Sequence, residues 1–329
     1  MKSSVFFRAD GSSKIGLGHV IRTCALAHML RHEFDCFFLI QEPLEMLQRE
    51  IQLAGAQVIA LPLQTDYLTD ARYCTHFFSD RDIVILDGYN FSYEYQRIVK
   101  EVGVKLVCID DIHQYPFLAD VIINHAGGIS PADYNATPGA DFYLGPAYAL
   151  LREPFLQAAR NRKRVKPQNQ LMICMGGADP NNDTLSVLAT ALENEVIDDF
   201  HVVIGGAYRH LEALEAFILR QKKSIHLCKN LTAADMCDLM QQCGTAVCPP
   251  SSIAFEYLSV GGELYLHMIA DNQRDLGKYF LESGLAFNFN QFGRINNDQK
   301  TRAIACQQQV FDGHSDARLI DIFKTLSVK

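Results

Sequence analysis

The chain has 329 residues, 48% of them hydrophobic and 21% charged, and a formal net charge of -8. That is enough chain for two domains with full cores, and an acidic balance with only short Lys/Arg clusters offers no footprint for nucleic acid or an anionic membrane. No apolar run approaches the roughly 20 residues that span a bilayer, no secretory-type apolar core follows Met1, and the ten cysteines are scattered without a CxxC pair. The expectation is a soluble, cytoplasmic protein with buried thiols and no nucleic-acid or membrane partner.

Short apolar runs at 5–7, 37–40, 58–61, 83–86, 106–109, 121–123 and 142–144 alternate with helical patterns such as 20–30, where Val20, Cys24, Ala27 and Leu30 share one side. This alternation predicts a parallel sheet with helices on both faces. Residues 151–170 carry Arg160, Arg162, Lys163, Arg164, Lys166 and Pro167 without apolar periodicity, so the domain boundary falls there. Strands then restart at 171–175, 202–204, 225–227, 246–248 and 264–266, separated by helices at 184–192, 210–221, 232–242, 253–259 and 272–283. Two last helical stretches, 301–311 and 317–326, are placed to return to the first domain. The expected organisation is a Rossmann-like domain at 1–155, a second at 168–290, and a helical segment at 291–329.

Gly16-Leu17-Gly18-His19 lies between the first strand and the first helix. Glycine lets a ligand come close to the backbone, and a helix start favours anions and disfavours a protonated imidazole, so a neutral His19 there is suited to act as a base. Ligands in doubly wound sheets collect beyond the carboxyl ends of the strands. The polar residues that end strands are Arg8, Asp10, Asp87, Tyr89, Asp110, Asp111, Asn124 and His125. Each taken alone reads more readily as an ordinary cap or turn residue, and it is their shared edge that favours function for the set. His28 and His32 stand four apart, but no glutamate follows the first of them as in a zinc-site pair, so no metal is expected.

In the second half, Gly176-Gly177 follows a strand and opens a helix, with Asn181 or Asn182 as the expected cap, and Gly205-Gly206 repeats the plan. In Pro249-Pro250-Ser251-Ser252-Ile253-Ala254-Phe255-Glu256, hydroxyls and free N–H groups at a helix start suit a diphosphate, with Glu256 one turn on for a ribose diol. The competing reading is a capping box around Ser252 with its acid one position too late. Asn272 and Gln273 open a further helix and offer amides to sugar hydroxyl or acetamido groups.

Together Arg8-Ala9-Asp10, the Gly16–Arg22 run, Asp87-Gly88-Tyr89, Leu144–Arg152, Gly176–Pro180 and Asp271-Asn272-Gln273 resemble one family. It is the UDP-2,4-diacetamido-2,4,6-trideoxy-β-L-altropyranose hydrolase family of pseudaminic acid biosynthesis, PseG. The resemblance implies a GT-B fold related to MurG-type glycosyltransferases, with two Rossmann-like domains facing a cleft. It implies a UDP-sugar substrate, no cofactor and no metal, and His19 as the general base that activates water at the anomeric carbon. By motif it implies that Tyr89 contacts the substrate near the reacting sugar and that Asn272 binds it from the second domain; together with the residue readings above, the expected substrate contacts are Asp10, Gly18, Arg22, Tyr89, Gly176, Gly177, Ser251, Ser252, Glu256, Asn272 and Gln273. The chain departs from such folds at Gly261-Gly262-Glu263, where a proline usually precedes the strand. Other readings of the same fold are a glycosyltransferase, a UDP-sugar 2-epimerase, or a non-catalytic nucleotide-sugar-binding protein.

Overall fold

A computed structural model describes residues 2–11, 17–162 and 166–328. Gly16, Lys163 and Arg164 lie outside the described residues. The chain forms two compact units, Met1–Glu153 with His314–Lys329, and Pro154–Gly313.

The first unit is built on strands β1 (Ser4–Ala9), β2 (Asp35–Gln41), β3 (Gln57–Leu61), β4 (Ile83–Asp87), β5 (Lys105–Ile109), β6 (Val121–Asn124) and β7 (Asp141–Leu144). All pairings are parallel, in the order β3-β2-β1-β4-β5-β6-β7. Parallel strands are covered on both faces, which is why they read as continuous apolar runs; every residue of β4 is buried. Helices α1 (Gly18–Leu30), α2 (Glu45–Leu53), α3 (Tyr67–Cys74) and α4 (Tyr93–Lys100) make the crossovers. One face of the sheet packs Phe6, Val84, Leu86 and Leu106 against Tyr95, Ile98 and Val99. Because the chain runs outward from β1 to β3 and then returns to β4, the order reverses between β1 and β4. The carboxyl ends of those two strands therefore border the crevice where ligands bind in such sheets.

The second unit contains α5 (Glu153–Arg160), which starts at the boundary, then β8 (Gln170–Cys174), α6 (Asp183–Ala191), β9 (Asp199–Ile204), α7 (Leu211–Ile218) and β10 (Ser224–Lys229). It continues through α8 (Ala233–Gln242), β11 (Thr245–Cys248), α9 (Ser252–Val260), β12 (Glu263–Leu266), α10 (Arg274–Glu282), β13 (Phe287–Asn288) and α11 (Asn297–Val310). Its sheet is also parallel, in the order β10-β9-β8-β11-β12-β13, so its reversal lies between β8 and β11. The two-residue β13 is too short to show in the sequence pattern. Leu171, Ile173, Phe200 and Val202 pack on Val187, Leu188 and Leu214 to form its core.

The final helices part company. In α11 the buried Gln307 side chain donates to Gly262 O (2.9 Å) and Leu285 O (2.7 Å) and accepts from Gly262 N (3.0 Å). The following helix α12 (Ser315–Val328) belongs to the first unit. It sets Phe323 against Phe34 at 6.3 Å and Lys324 Nζ 2.9 Å from Glu33. The Gly261-Gly262 step also has a local cause: a Cβ on Gly262 would collide with the Tyr257 hydroxyl, which donates to Cys243 O at 3.0 Å.

Two glycine loops of the second unit meet. A Cβ on Gly205, after β9, would come within 2.6 Å of the Gly177 Cα and carbonyl oxygen after β8. Backbone cannot swing aside as a flexible side chain does, so Gly205→Ala is expected to lower stability by about 1–3 kcal/mol, read as a lower urea midpoint. An unchanged midpoint would mean that the loops separate freely.

Candidate active site

In the first unit the site grows from the first turn of α1. Leu17 makes no side-chain cap, and the first turn holds no acidic residue. Gly18 is exposed and a Cβ there would meet open space, so protein packing does not demand this glycine. His19 is buried, and its Nδ1 lies 2.7 Å from Asp87 Oδ1. Asp87 ends β4, which pairs with β1 in a register that sets Ala9 against Asp87. Residues three and four positions beyond His19 share its face of the helix. Accordingly Arg22 Nε and Thr23 Oγ1 each donate to Asp87 Oδ2 at 2.8 Å, and Arg22 Nη2 donates to Oδ1.

Burial opposes a charge on Asp87, but Arg22 and the bonded His19 ring outweigh it and hold the carboxyl far below the usual carboxylate range. An ionised carboxylate has no hydrogen to offer. The 2.7 Å contact therefore takes its hydrogen from His19 Nδ1, and the 3.1 Å approach of Arg22 Nη2 to that nitrogen is proximity alone. In the neutral ring the lone pair then sits on Nε2, which is the arrangement of a general base oriented by an acid.

Around this pair, the Tyr89 ring meets the His19 ring edge-on at 4.6 Å, and the Tyr89 hydroxyl reaches Asp111 Oδ2 at 3.4 Å. Arg22 Nη1 donates to the same oxygen at 2.7 Å. Burial works against ionisation of Asp111, and Arg22 prevails, lowering its pKa. Arg22, which the resemblance places at the substrate, is buried and bonds Asp87 and Asp111 through its Nε, Nη1 and Nη2.

Asp10 lies in a separate cluster. The buried Arg8 forks its Nε (3.1 Å) and Nη2 (3.0 Å) onto Asp70 and sets Nη1 2.7 Å from Asp10 Oδ1. Asp10 also accepts from Gln41 N (3.0 Å) and the Tyr67 hydroxyl (3.1 Å), which ties the chain leaving β1 to β2 and α3.

His125 follows β6, is buried, and accepts a weak bond from Leu150 N at 3.4 Å. Burial first, then the nearby Arg22, lower its pKa from 6.5 to about 4. The unfolded chain takes up this proton near pH 6.5 and the folded chain only near 4, so stability is full above 6.5 and declines as pH falls through that window. The loss amounts to about 3 kcal/mol at one pKa unit per 1.4 kcal/mol. His125→Gln should flatten the unfolding free energy between pH 7 and 4 by that amount, and an unaltered slope would assign it to other groups.

In the second unit the two candidate anion cradles differ. Asp179, at φ 39°, accepts from Asp183 N and Thr184 N at 2.8 Å each, so a carboxylate already occupies the start of α6. Asn182 stands at the cap position, with φ 59°, but its side chain accepts from the Tyr208 hydroxyl and makes no cap bond. The expected asparagine cap is thus replaced by Asp179, which lies far enough back to reach two N–H groups. Gly176 (φ 89°) and Gly177 both face open space.

At α9, by contrast, Ser251 occupies the cap position without a side-chain bond, and the first turn carries no acid. No capping box forms there. Ser252 opens the helix and Glu256, one turn on, is buried. Asn272 is exposed in the single turn Asp271–Gln273 before α10, and Gln273 Oε1 accepts from Ile269 N at 2.9 Å. His267, after β12, sets Nε2 3.1 Å from Asp183 Oδ1, a link between residues 84 apart that carries no sequence signal.

Among the described residues no group of three His, Cys, Asp or Glu is arranged to hold a metal ion, and no helix is long and apolar enough to cross a membrane.

Two doubly wound parallel-sheet units in one chain define the GT-B fold, and solved structures agree. Acinetobacter baumannii MurG matches with a TM-score of 0.67 over 99% of this chain and 100% of that one, at 13% identity. Phytolacca americana UGT2, complexed with UDP-2-fluoro-glucose and pterostilbene, matches at 0.70 over 99% and 100%, at 11% identity. No protein-family model matches the chain.

Among curated proteins, the chain is 24% identical over 285 residues to the UDP-2,4-diacetamido-2,4,6-trideoxy-β-L-altropyranose hydrolase of Campylobacter jejuni, covering 85% of this chain and 97% of that protein. It is 26% identical over 288 residues to the spore coat polysaccharide biosynthesis protein SpsG of Bacillus subtilis, covering 85% and 81%. An uncharacterized Methanocaldococcus jannaschii protein is 26% identical over 266 residues, covering 77% of this chain and 53%, about half, of that relative. The chain is a distant relative of these proteins.

Proposed function

We propose that the protein is a hydrolase of a UDP-linked sugar, releasing UDP and a free 2,4-diacetamido-2,4,6-trideoxyhexose in a cytoplasmic pathway of pseudaminic acid type. The observation that carries this reading is the 2.7 Å bond from His19 Nδ1 to Asp87, which leaves Nε2 as the acceptor. Nε2 takes a proton from water as the water oxygen bonds to the anomeric carbon. The bond from that carbon to the diphosphate oxygen breaks, and UDP leaves with the electron pair. Asp87 stabilises the imidazolium that forms, and Arg22 and Thr23 hold Asp87 in place. The likeness to the Campylobacter jejuni hydrolase supports the choice of substrate.

In this reading Gly18 and Tyr89 are the sugar contacts of the first unit, and Asn272 and Gln273, through their amides, are substrate contacts of the second. The uncapped start of α9, with Ser251 and Ser252, is the better cradle for the diphosphate, because Asp179 already supplies a negative charge at α6. Gly176 and Gly177 leave room for the nucleotide, and Glu256 takes the ribose. Asp10 and Arg22 act by positioning their neighbours. The reaction calls for no cofactor.

Incubation with UDP-2,4-diacetamido-2,4,6-trideoxyhexose and no acceptor, followed by NMR, should show UDP and free sugar in equal amounts. A glycosyltransferase would leave the substrate largely intact, an epimerase would return a nucleotide sugar, and a binding protein would change nothing.

A further inference from the structure

Asp111 differs from every other member of the cluster around His19. Both oxygens of Asp87 take donors, and three guanidinium nitrogens of Arg22 are bonded. Asp111 Oδ2 accepts from Arg22 and Tyr89, but Oδ1 is shielded from water and has no hydrogen-bond partner. The Asp111 side chain is 27% exposed, against 7% for His19 and Arg22 and 0% for Asp87. It is thus the carboxylate of the cluster with both spare accepting capacity and an open side. Rotation about Cβ–Cγ exchanges its two oxygens, so the unpaired one need not be the one that first meets a ligand.

An acceptor left unpaired in a buried setting carries a cost that a ligand donor removes. The groups beside Asp111 are Tyr89 and, edge-on to it, His19. We propose that Asp111 accepts a hydrogen bond from an N–H or O–H substituent of the sugar bound at His19, and so selects sugars that carry a donor at that position. This inference rests on the reading of the His19 site as a UDP-sugar site. A negatively charged substituent would be repelled, so uronic acid sugars are excluded by the same residue.

The test compares UDP-2,4-diacetamido-2,4,6-trideoxyhexose with analogues in which one acetamido group is replaced by hydroxyl or by hydrogen. For the wild-type protein, hydrogen at the contacted position should lower kcat/KM about 10- to 100-fold, as expected for a buried acceptor left without its donor. Hydroxyl there should retain most of the activity; if it does not, the donor required is the amide N–H. Asp111→Ala leaves Arg22 partly unpaired and lowers all rates, but a purely structural role lowers them equally. On the proposal, the ratio between acetamido and hydrogen analogues falls towards one.

Asp111→Asn keeps an acceptor oxygen and should retain part of that ratio, which provides a second variant if the alanine form does not fold. Dissociation constants for the same analogues, by calorimetry, read the ratio without turnover. Binding without hydrolysis would defeat the hydrolase reading and still test Asp111. The inference is overturned if the wild type does not discriminate at either position, or if Asp111→Ala discriminates as sharply as the wild type.

Discussion

His19→Ala is expected to abolish UDP release while leaving nucleotide-sugar binding intact. Removing the imidazole removes the basic nitrogen held beside Tyr89, and loss of a general base typically lowers the rate by about 10²- to 10⁴-fold. Asp87 keeps its bonds to Arg22 and Thr23 in this variant, so the strand end and the helix start stay joined. The fall should therefore appear in kcat, with the calorimetric dissociation constant within a few-fold of the wild type. Turnover close to normal would sink the mechanism, and equal losses in binding and rate would reassign His19 to holding the substrate.

Asp87→Asn is expected to damage both rate and stability, for separable reasons. If the amide nitrogen faces His19, it donates to Nδ1 and moves the ring hydrogen to Nε2, which removes the base. If the amide oxygen faces His19, the nitrogen confronts the donors of Arg22 and Thr23. Either outcome should lower kcat by about 10²- to 10⁴-fold, the range for a mispositioned or missing base. Arg22 is at the same time left as a buried cation with Asp111 as its remaining carboxylate, and breaking a buried pair costs about 3–5 kcal/mol. Asp87 has a depressed folded-state pKa, so its contribution is full above the unfolded carboxylate range and is lost as pH falls through the folded value. The stability gap between wild type and Asp87→Asn, from urea unfolding, should thus be constant near neutrality and narrow in strong acid. A variant as stable as the wild type at pH 7 would show that the Arg22 charge does not depend on Asp87.

The strands were legible because parallel sheets demand continuous apolar runs, and the same rule hides β13, whose two residues carry no pattern. His19 stood out because Gly16 and Gly18 flank it between a strand and a helix. Its partner Asp87 is among the strand-end candidates, but nothing in the sequence links it to His19. Asp87 lies 68 residues further on, at a strand end where aspartate is also an ordinary turn residue. Only the strand order, with β4 beside β1, joins the two. Arg22 enters the sequence reading only through the resemblance, because the sequence does not show that two carboxylates from β4 and the loop after β5 converge on it. The helix start at α6 misled for a local reason: Asp179, in a left-handed conformation, outreaches the asparagines beside the helix. The signal that was available is topological. Polar residues that end strands on either side of an order reversal are the ones to pair first.

The most direct test of the His19-activated water is turnover of UDP-2,4-diacetamido-2,4,6-trideoxyhexose in ¹⁸O-labelled water, with both products analysed by mass spectrometry. Attack at the anomeric carbon predicts the label in the free sugar, none in UDP, and none in either product with His19→Ala. Label in the UDP phosphate, or no UDP released without an acceptor, would contradict it.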